Sequence, residues 1–319
     1  MKIIITDFPD VLKREIDYER RLIKENLPNA EVEVVSFSDR EQWIEKVRNA
    51  DAILTAFIKI DGKIMDQIPN LKCIVLNASG YDSINIKDAA DRGIAVIPVA
   101  EYCTQEVADH TMALILALER GLKHYEADID DEKRWQYSTL PAVHRIEGQT
   151  LGICGFGKIG KAVAERARAF GLKVIVYSPH CTDETARQYG IERTGIDELL
   201  ERSDIISNHM SQSDENYHFF NEDKFRRMIR KPFFINVSRG SAVDEKDLVS
   251  ALDQKMIAGA GIDVLQDENP DLRQCGLTNR ENVIITPHAA FYSIESLRDL
   301  QTISCMNLVK FFSGGNSMR

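Results

Sequence analysis

Three glycines, Gly155, Gly157 and Gly160, stand in "GFGKIG" near the middle of the chain. Glycines at this spacing suit phosphate binding. The first permits a tight turn, the second lets a pyrophosphate approach the backbone, and the third lets the following helix close on the preceding strand. The helix opening there offers unpaired N–H groups to phosphate oxygens. The spacing alone is a weak signal, so the flanks decide. "LGIC" before the turn reads as a buried strand. "KAVAERARAF" after it reads as a helix with Val163 and Ala167 on the Gly160 face, and "KVIVYS" follows as the second strand. The stretch is read as a dinucleotide site, with Lys158 and Ile159 inside it. One element departs from pattern. The acid that would end the second strand and hold the adenosine ribose falls near Ser178, which Pro179-His180-Cys181 follows. Serine neither repels a 2′-phosphate nor attracts it, so NAD or NADP is expected with weak discrimination.

The elements around this turn repeat one rhythm. KIIITDF, VEVVSF, AILTA, KCIVLNA and GIAVIPV are short, nearly continuous apolar runs, as in parallel strands covered on both faces. Helix-like stretches at Asp10–Asn26 and Asp39–Asn49 separate them, which indicates an α/β fold. A long helix over about 104–122 leads into a second half with strands LGICGF, KVIVYS, IISNHM, FFINVS, GAGIDV and VIITPH. A final helix near 293–312 has no partner in its own half and is placed back against the first. The acidic stretch EADIDDEKR (126–134) reads as a solvated face.

At 319 residues the chain is long enough for two domains. A net charge of −10 excludes the concentrated Lys/Arg footprint that nucleic acid requires. No stretch has the apolar length of a membrane span, and MKIIITDFPD lacks the apolar core of a secretory signal. The six cysteines form no C-x-x-C pair, so idle thiols in a reducing cytoplasm are expected. No cluster of His, Cys and carboxylate suggests a metal.

"SGYDSINI" (79–86), "TQEVADHT" (104–111), "GFGKIGKAVAERARAFG" (155–171), "NVSRGSAVDE" (236–245), "GIDVLQDENP" (261–270) and "TPHAAFYS" (286–293) follow one another along nearly the whole chain. In content and order they resemble the D-2-hydroxyacid dehydrogenase family. The wording of "SGYD" and "HAAFYS" is similar to the C-terminal-binding-protein-like branch, which holds enzymes and nucleotide-sensing corepressors. The resemblance implies two doubly wound parallel-sheet domains. A Rossmann nucleotide domain (101–289) would be inserted into a flavodoxin-like substrate domain (1–100 and 290–319), with the active site in the cleft between them. It implies Arg239, Glu268 and His288 as the catalytic set, Asp263 at the nicotinamide carboxamide, and Thr104, His209 and Met210 along the cofactor. The backbone of Ala78, Ser79 and Gly80 would hold the substrate carboxylate together with Arg239. It also implies a homodimer built mainly on the long helix and its flanks, whose apolar content exceeds one buried stripe. Two departures stand out: Asn269 separates Glu268 from Pro270 beside a competing Asp267, and "HMSQS" replaces the usual His-x-Pro.

That set suits reduction of a 2-oxo acid. Hydride arrives at the carbonyl carbon while negative charge grows on the oxygen, and an imidazole can supply the proton. A carboxylate beside the imidazole favours its charged form and fixes its tautomer. Arginine grips a carboxylate as a fork and polarises the carbonyl. Taken singly, His288 reads as a loop histidine, Arg239 as half of a surface ion pair and Glu268 as a loop acid. Together with the glycine turn, all three fall at the ends of strands, where open α/β sheets bind ligands. The expectation is an NAD(P)-dependent enzyme interconverting a small 2-oxo acid and the D-2-hydroxy acid. The alternative is a dinucleotide-sensing, corepressor-like protein without turnover. Phe57, Tyr81, Trp135, Phe291 and Tyr292 are candidate pocket walls, while His110, His124, His144 and His218 read as structural or exposed.

Overall fold

The computed structural model describes residues 1–81, 83–140 and 143–314. The chain divides into two compact units, Met1–Tyr102 with Ser293–Arg319, and Cys103–Tyr292.

The first unit alternates β1 (Lys2–Asp7), α1 (Ile16–Asn26), β2 (Glu31–Ser36), α2 (Arg40–Val47), β3 (Ala52–Thr55), α3 (Gly62–Met65), β4 (Cys73–Leu76), α4 (Ile86–Asp91) and β5 (Ala95–Ile97). Its sheet is wholly parallel in the order β2-β1-β3-β4-β5. Successive side chains of β1 point to opposite faces, and both faces are covered. Ile4 joins one core with Trp43 and Val47, whereas Ile3 and Ile5 join another with Ile23 and Leu308. Leu308 belongs to the C-terminal helix, Ile294–Phe312, which packs on α1 and β4 and starts from a capping box at Ser293. The stretch 10–26 is not one helix. Val11–Lys13 forms a separate turn, and Arg14 then reaches back to buried Glu19 at 2.7 Å. Glu19 also accepts from Gln301 (2.9 Å) and Asn77 (3.2 Å). Asn77, the residue after β4, accepts in turn from the Ser304 hydroxyl. This buried network fixes the chain where Ala78-Ser79-Gly80 begins.

The second unit starts with α5 (Thr104–Glu119) and α6 (Leu122–Asp130). It continues through β6 (Thr150–Cys154), α7 (Lys158–Ala169), β7 (Lys173–Tyr177), α8 (Asp183–Tyr189), β8 (Glu192–Arg193), α9 (Ile196–Arg202) and β9 (Ile205–Asn208). α10 (Glu222–Arg226), β10 (Phe233–Asn236), α11 (Glu245–Asp253), β11 (Gly259–Ile262) and β12 (Val283–Ile285) complete it. The sheet order is β12-β11-β10-β9-β6-β7-β8, again wholly parallel. Strand order reverses between β9 and β6, which makes the carboxyl edge there a crevice.

Two sequence expectations change here. The long helix ends at Glu119, and α6 follows as a separate element. The apolar residues of α5 are used inside its own unit: Val107, Met112, Leu114, Ile115 and Leu118 are buried in one core with α7 and the sheet. Apolar exposure lies instead on Leu122, Ile129, Trp135, Tyr137 and Val143. The stretch 126–134 is only partly solvated, because Asp128 is buried between His124 and Arg134, each 3.3 Å away.

All six cysteines are free, and burial pushes the Cys73 and Cys305 thiols up to about 12. Among the described residues no helix is long and apolar enough to cross a membrane, and no group of three His, Cys or carboxylates could hold a metal.

Candidate active site

From β12 to β7, successive strands of the second sheet end in residues singled out by type. His288 follows β12, Asp263 and Glu268 follow β11, and Arg239 follows β10. His209 and Met210 follow β9, the glycine turn follows β6, and Ser178 follows β7. Thr104, Lys158 and Ile159 open α5 and α7.

The glycines divide the labour of the turn. Gly155 has φ +93°, and a Cβ there would lie 2.6 Å from the His209 backbone. A Cβ on Gly160 would sit 2.3 Å from the Gly155 carbonyl oxygen. Both positions are closed by close approach. Gly157, the N-cap of α7, differs: a Cβ there meets nothing within 4 Å. The open face that it leaves at the helix N-terminus fits a pyrophosphate. At the end of β7, Ser178 supplies a hydroxyl where a carboxylate was expected, and its carbonyl accepts from the Cys181 N–H at 3.2 Å. The next acid, Asp183, is paired with Arg193 at 2.5 Å. His209 turns its Nε2 to the Ser207 hydroxyl at 2.8 Å. Burial pushes this imidazole down to about 4, so it is neutral near pH 7.

At the other end of the edge, His288 Nδ1 lies 2.9 Å from Glu268 Oε2. The competing carboxylate is engaged within its own loop, where Asp267 Oδ1 accepts from the Asn269 N–H at 3.0 Å and closes the local turn. The geometry therefore pairs the histidine with Glu268. With Nδ1 engaged, Nε2 is the nitrogen available to a ligand. Arg239 follows β10 through a polar brace. Asn236 Nδ2 donates to the Arg239 carbonyl (3.0 Å), and Asn236 Oδ1 accepts from Asn208 Nδ2 (3.0 Å). Gly240 lets this loop meet the one carrying Glu268, since a Cβ there would fall 2.0 Å from Leu265 backbone. Asp263 is buried, and its carboxylate accepts from the Thr286 hydroxyl and the Ala289 and Ala290 N–H groups.

Ala78, Ser79 and Gly80 follow β4 in the first unit, where Phe57 and Tyr81 are exposed. In the second unit the Phe291 ring meets His288 edge-on at 6.1 Å, while Tyr292 and Trp135 are exposed. His124 pairs with Asp128 and Glu281, and His218 with Asp244. His110 Nε2 lies 2.9 Å from the Thr286 hydroxyl, a pairing that nothing local in the sequence discloses because 176 positions separate the two.

Residues 112–290 match the model for the NAD binding domain of D-isomer specific 2-hydroxyacid dehydrogenases. The chain belongs to this family. As a member it is an NAD(P)-dependent oxidoreductase of 2-oxo and D-2-hydroxy acids. The dehydrogenase is 35% identical over 275 residues to the glyoxylate reductase of Korarchaeum cryptofilum, covering 85% of this chain and 82% of that relative. It is 36% identical over 278 residues to the glyoxylate reductase of Thermococcus litoralis, covering 85% and 83%. Its fold is similar to that of Aquifex aeolicus D-lactate dehydrogenase in complex with NAD and lactic acid, with TM-score 0.86, 28% identity and 98% and 96% coverage. An acyclic imino acid reductase in complex with NADPH and D-Arg also superimposes, with TM-score 0.86, 27% identity and 99% and 98% coverage. Relatives that are reductases and dehydrogenases do not favour the corepressor-like alternative.

Proposed function

We propose that this dehydrogenase reduces glyoxylate and larger 2-oxo acids such as hydroxypyruvate, with His288 as the proton donor. The pairing of His288 with Glu268 on the same sheet edge as Arg239 and the glycine turn carries the reading. When bound, a nicotinamide dinucleotide supplies the hydride. His288 Nε2 gives its proton to the carbonyl oxygen, and Glu268 holds the ring through Nδ1 and so fixes its orientation. Arg239 grips the substrate carboxylate with the backbone of Ala78, Ser79 and Gly80, and polarises the carbonyl. Asp263 has accepted three hydrogen bonds and keeps capacity for one more donor, the carboxamide. Gly155, Gly157, Lys158, Ile159 and Gly160 cradle the pyrophosphate. Ser178 admits NAD or NADP, and Thr104, His209 and Met210 line the cofactor.

Free, largely buried thiols suit a reducing cytoplasm. The apolar surface from Leu122 to Val143 suits a second copy of the chain, so a homodimer is proposed on the flank of α5. The test of function is NADH and NADPH oxidation with glyoxylate, hydroxypyruvate and a branched 2-oxo acid. Steady turnover with at least one pair is expected; dinucleotide binding without turnover would overturn the reading.

A further inference from the structure

We infer that His110 and Thr286 are positioning residues that hold the proton donor's loop, and this rests on reading His288 as that donor. His288 has φ +51°, the left-handed conformation that a residue with a Cβ adopts only against steric strain. Such a backbone persists only where its surroundings over-determine it. Here they do. The His288 N–H donates to the Asp263 carbonyl at 2.8 Å. On either side of His288, the buried Asp263 carboxylate accepts from Thr286 Oγ1 (2.5 Å), Ala289 N (2.8 Å) and Ala290 N (3.0 Å).

The Thr286 hydroxyl has one proton, and Asp263 takes it. Its oxygen can therefore only accept from His110 Nε2, 2.9 Å away, which fixes the His110 tautomer with the proton on Nε2. His110 Nε2 is also 3.7 Å from Asp263 Oδ1. The height of His110 above the loop is set by packing. One turn further along α5, Leu114 lies against Gly261 of β11, where a Cβ would come 3.1 Å from the Leu114 Cβ. A helix seated on the sheet at that point delivers a donor to Thr286. His110 touches no reacting atom and acts through the loop.

His110→Leu removes the donor and keeps much of the bulk. Displacing a reacting group by about 1 Å can cost a hundredfold, so a partial relaxation of the loop is expected to lower kcat about tenfold. The NADH dissociation constant should stay within about twofold, because the glycine turn is untouched and the Ala289 and Ala290 N–H groups still hold the Asp263 carboxylate. His110→Gln, which restores an N–H donor, should recover most of the loss. Thr286→Val should lower kcat by a similar factor, and the double variant should fall little further, since both break one chain of bonds. Thr286→Val carries the same test if His110→Leu does not fold. The inference is overturned if kcat stays within about twofold, if NADH affinity falls in step with kcat, or if His110→Gln recovers nothing. His288→Ala in the same assay separates the two claims. If it turns over normally, the reading of the site fails; if it is inactive while His110→Leu is normal, only the relay fails.

Discussion

The two ends of the second sheet's carboxyl edge do their work by different means. Around β6 and β7 the proposed binding groups are chiefly backbone, at the start of α7 and the three glycines, with the Ser178 hydroxyl at the end of β7. Around β10, β11 and β12 the chemistry rests on side chains, each braced by others, as Glu268 braces His288 and Asn236 braces the Arg239 loop. Backbone sites depend on what is missing at a position. Side-chain sites depend on what stands behind it. The two ends should therefore respond to substitution in opposite ways.

The largest contrast is expected within the glycine turn itself. Gly157→Leu meets no protein atom nearby, so the melting temperature should hold while NADH affinity falls more than about a hundredfold, roughly 2.7 kcal/mol. Gly160→Ala drives a Cβ into the Gly155 carbonyl and should lower the melting temperature first. Calorimetry and a fluorescence titration of both variants check this. Equal behaviour of the two would remove the distinction between cradle and packing glycines.

Ser178→Asp tests the far end of the same region. Like charges placed together cost several kcal/mol, so NADPH use should fall by about a hundredfold or more while NADH use is spared. In the native enzyme kcat/KM for the two cofactors should lie within about a hundredfold. A native preference above about a thousandfold would mean that another group discriminates.

At the side-chain end, Glu268→Gln should lower kcat by about tenfold or more, since a charge-assisted hydrogen bond contributes roughly 1.5–3 kcal/mol. Asp267→Asn should leave kcat near the native value, because Asp267 serves its own turn. A loss of kcat that followed Asp267 instead of Glu268 would break the pairing.

The effect confined to acid belongs to His209. Its folded-state value of about 4 lies below the ordinary 6.5, so the unfolded chain binds the proton first. This group's contribution is complete above about pH 6.5 and is lost as pH falls toward 4, by up to about 3 kcal/mol at 1.36 kcal/mol per unit. His209→Asn should flatten the acid limb of a denaturation series over that window.

The same contrast governs how much the sequence discloses. Doubly covered parallel strands need continuous apolar runs, so β1, β3, β4 and most of the second sheet stand out as KIIITD, AILT, CIVL or KVIVY. The glycine turn is legible because only glycine tolerates the close contacts at Gly155 and Gly160. β8 is two residues long and gives no run to read. The choice between Asp267 and Glu268 is open in the sequence, because a loop's own hydrogen bond settles it. The apolar residues of α5 look like surplus until two neighbours, α7 and the sheet, are seen to use them. Asp128 looks solvated until His124, one helical turn away, and Arg134 enclose it. Pairings between residues distant in sequence are written in no local pattern.

The central claim is that proton chemistry resides at the β12 end and pyrophosphate binding at the β6 end, as separable functions of one edge. His288→Ala tests it most directly, with NADH affinity and the rate of 2-oxo acid reduction measured on the same preparation. The expected result is a fall in kcat of about 10²–10⁴ with the NADH dissociation constant within about twofold. A loss of kcat below about tenfold, or a loss of NADH affinity matching the loss of rate, would contradict it.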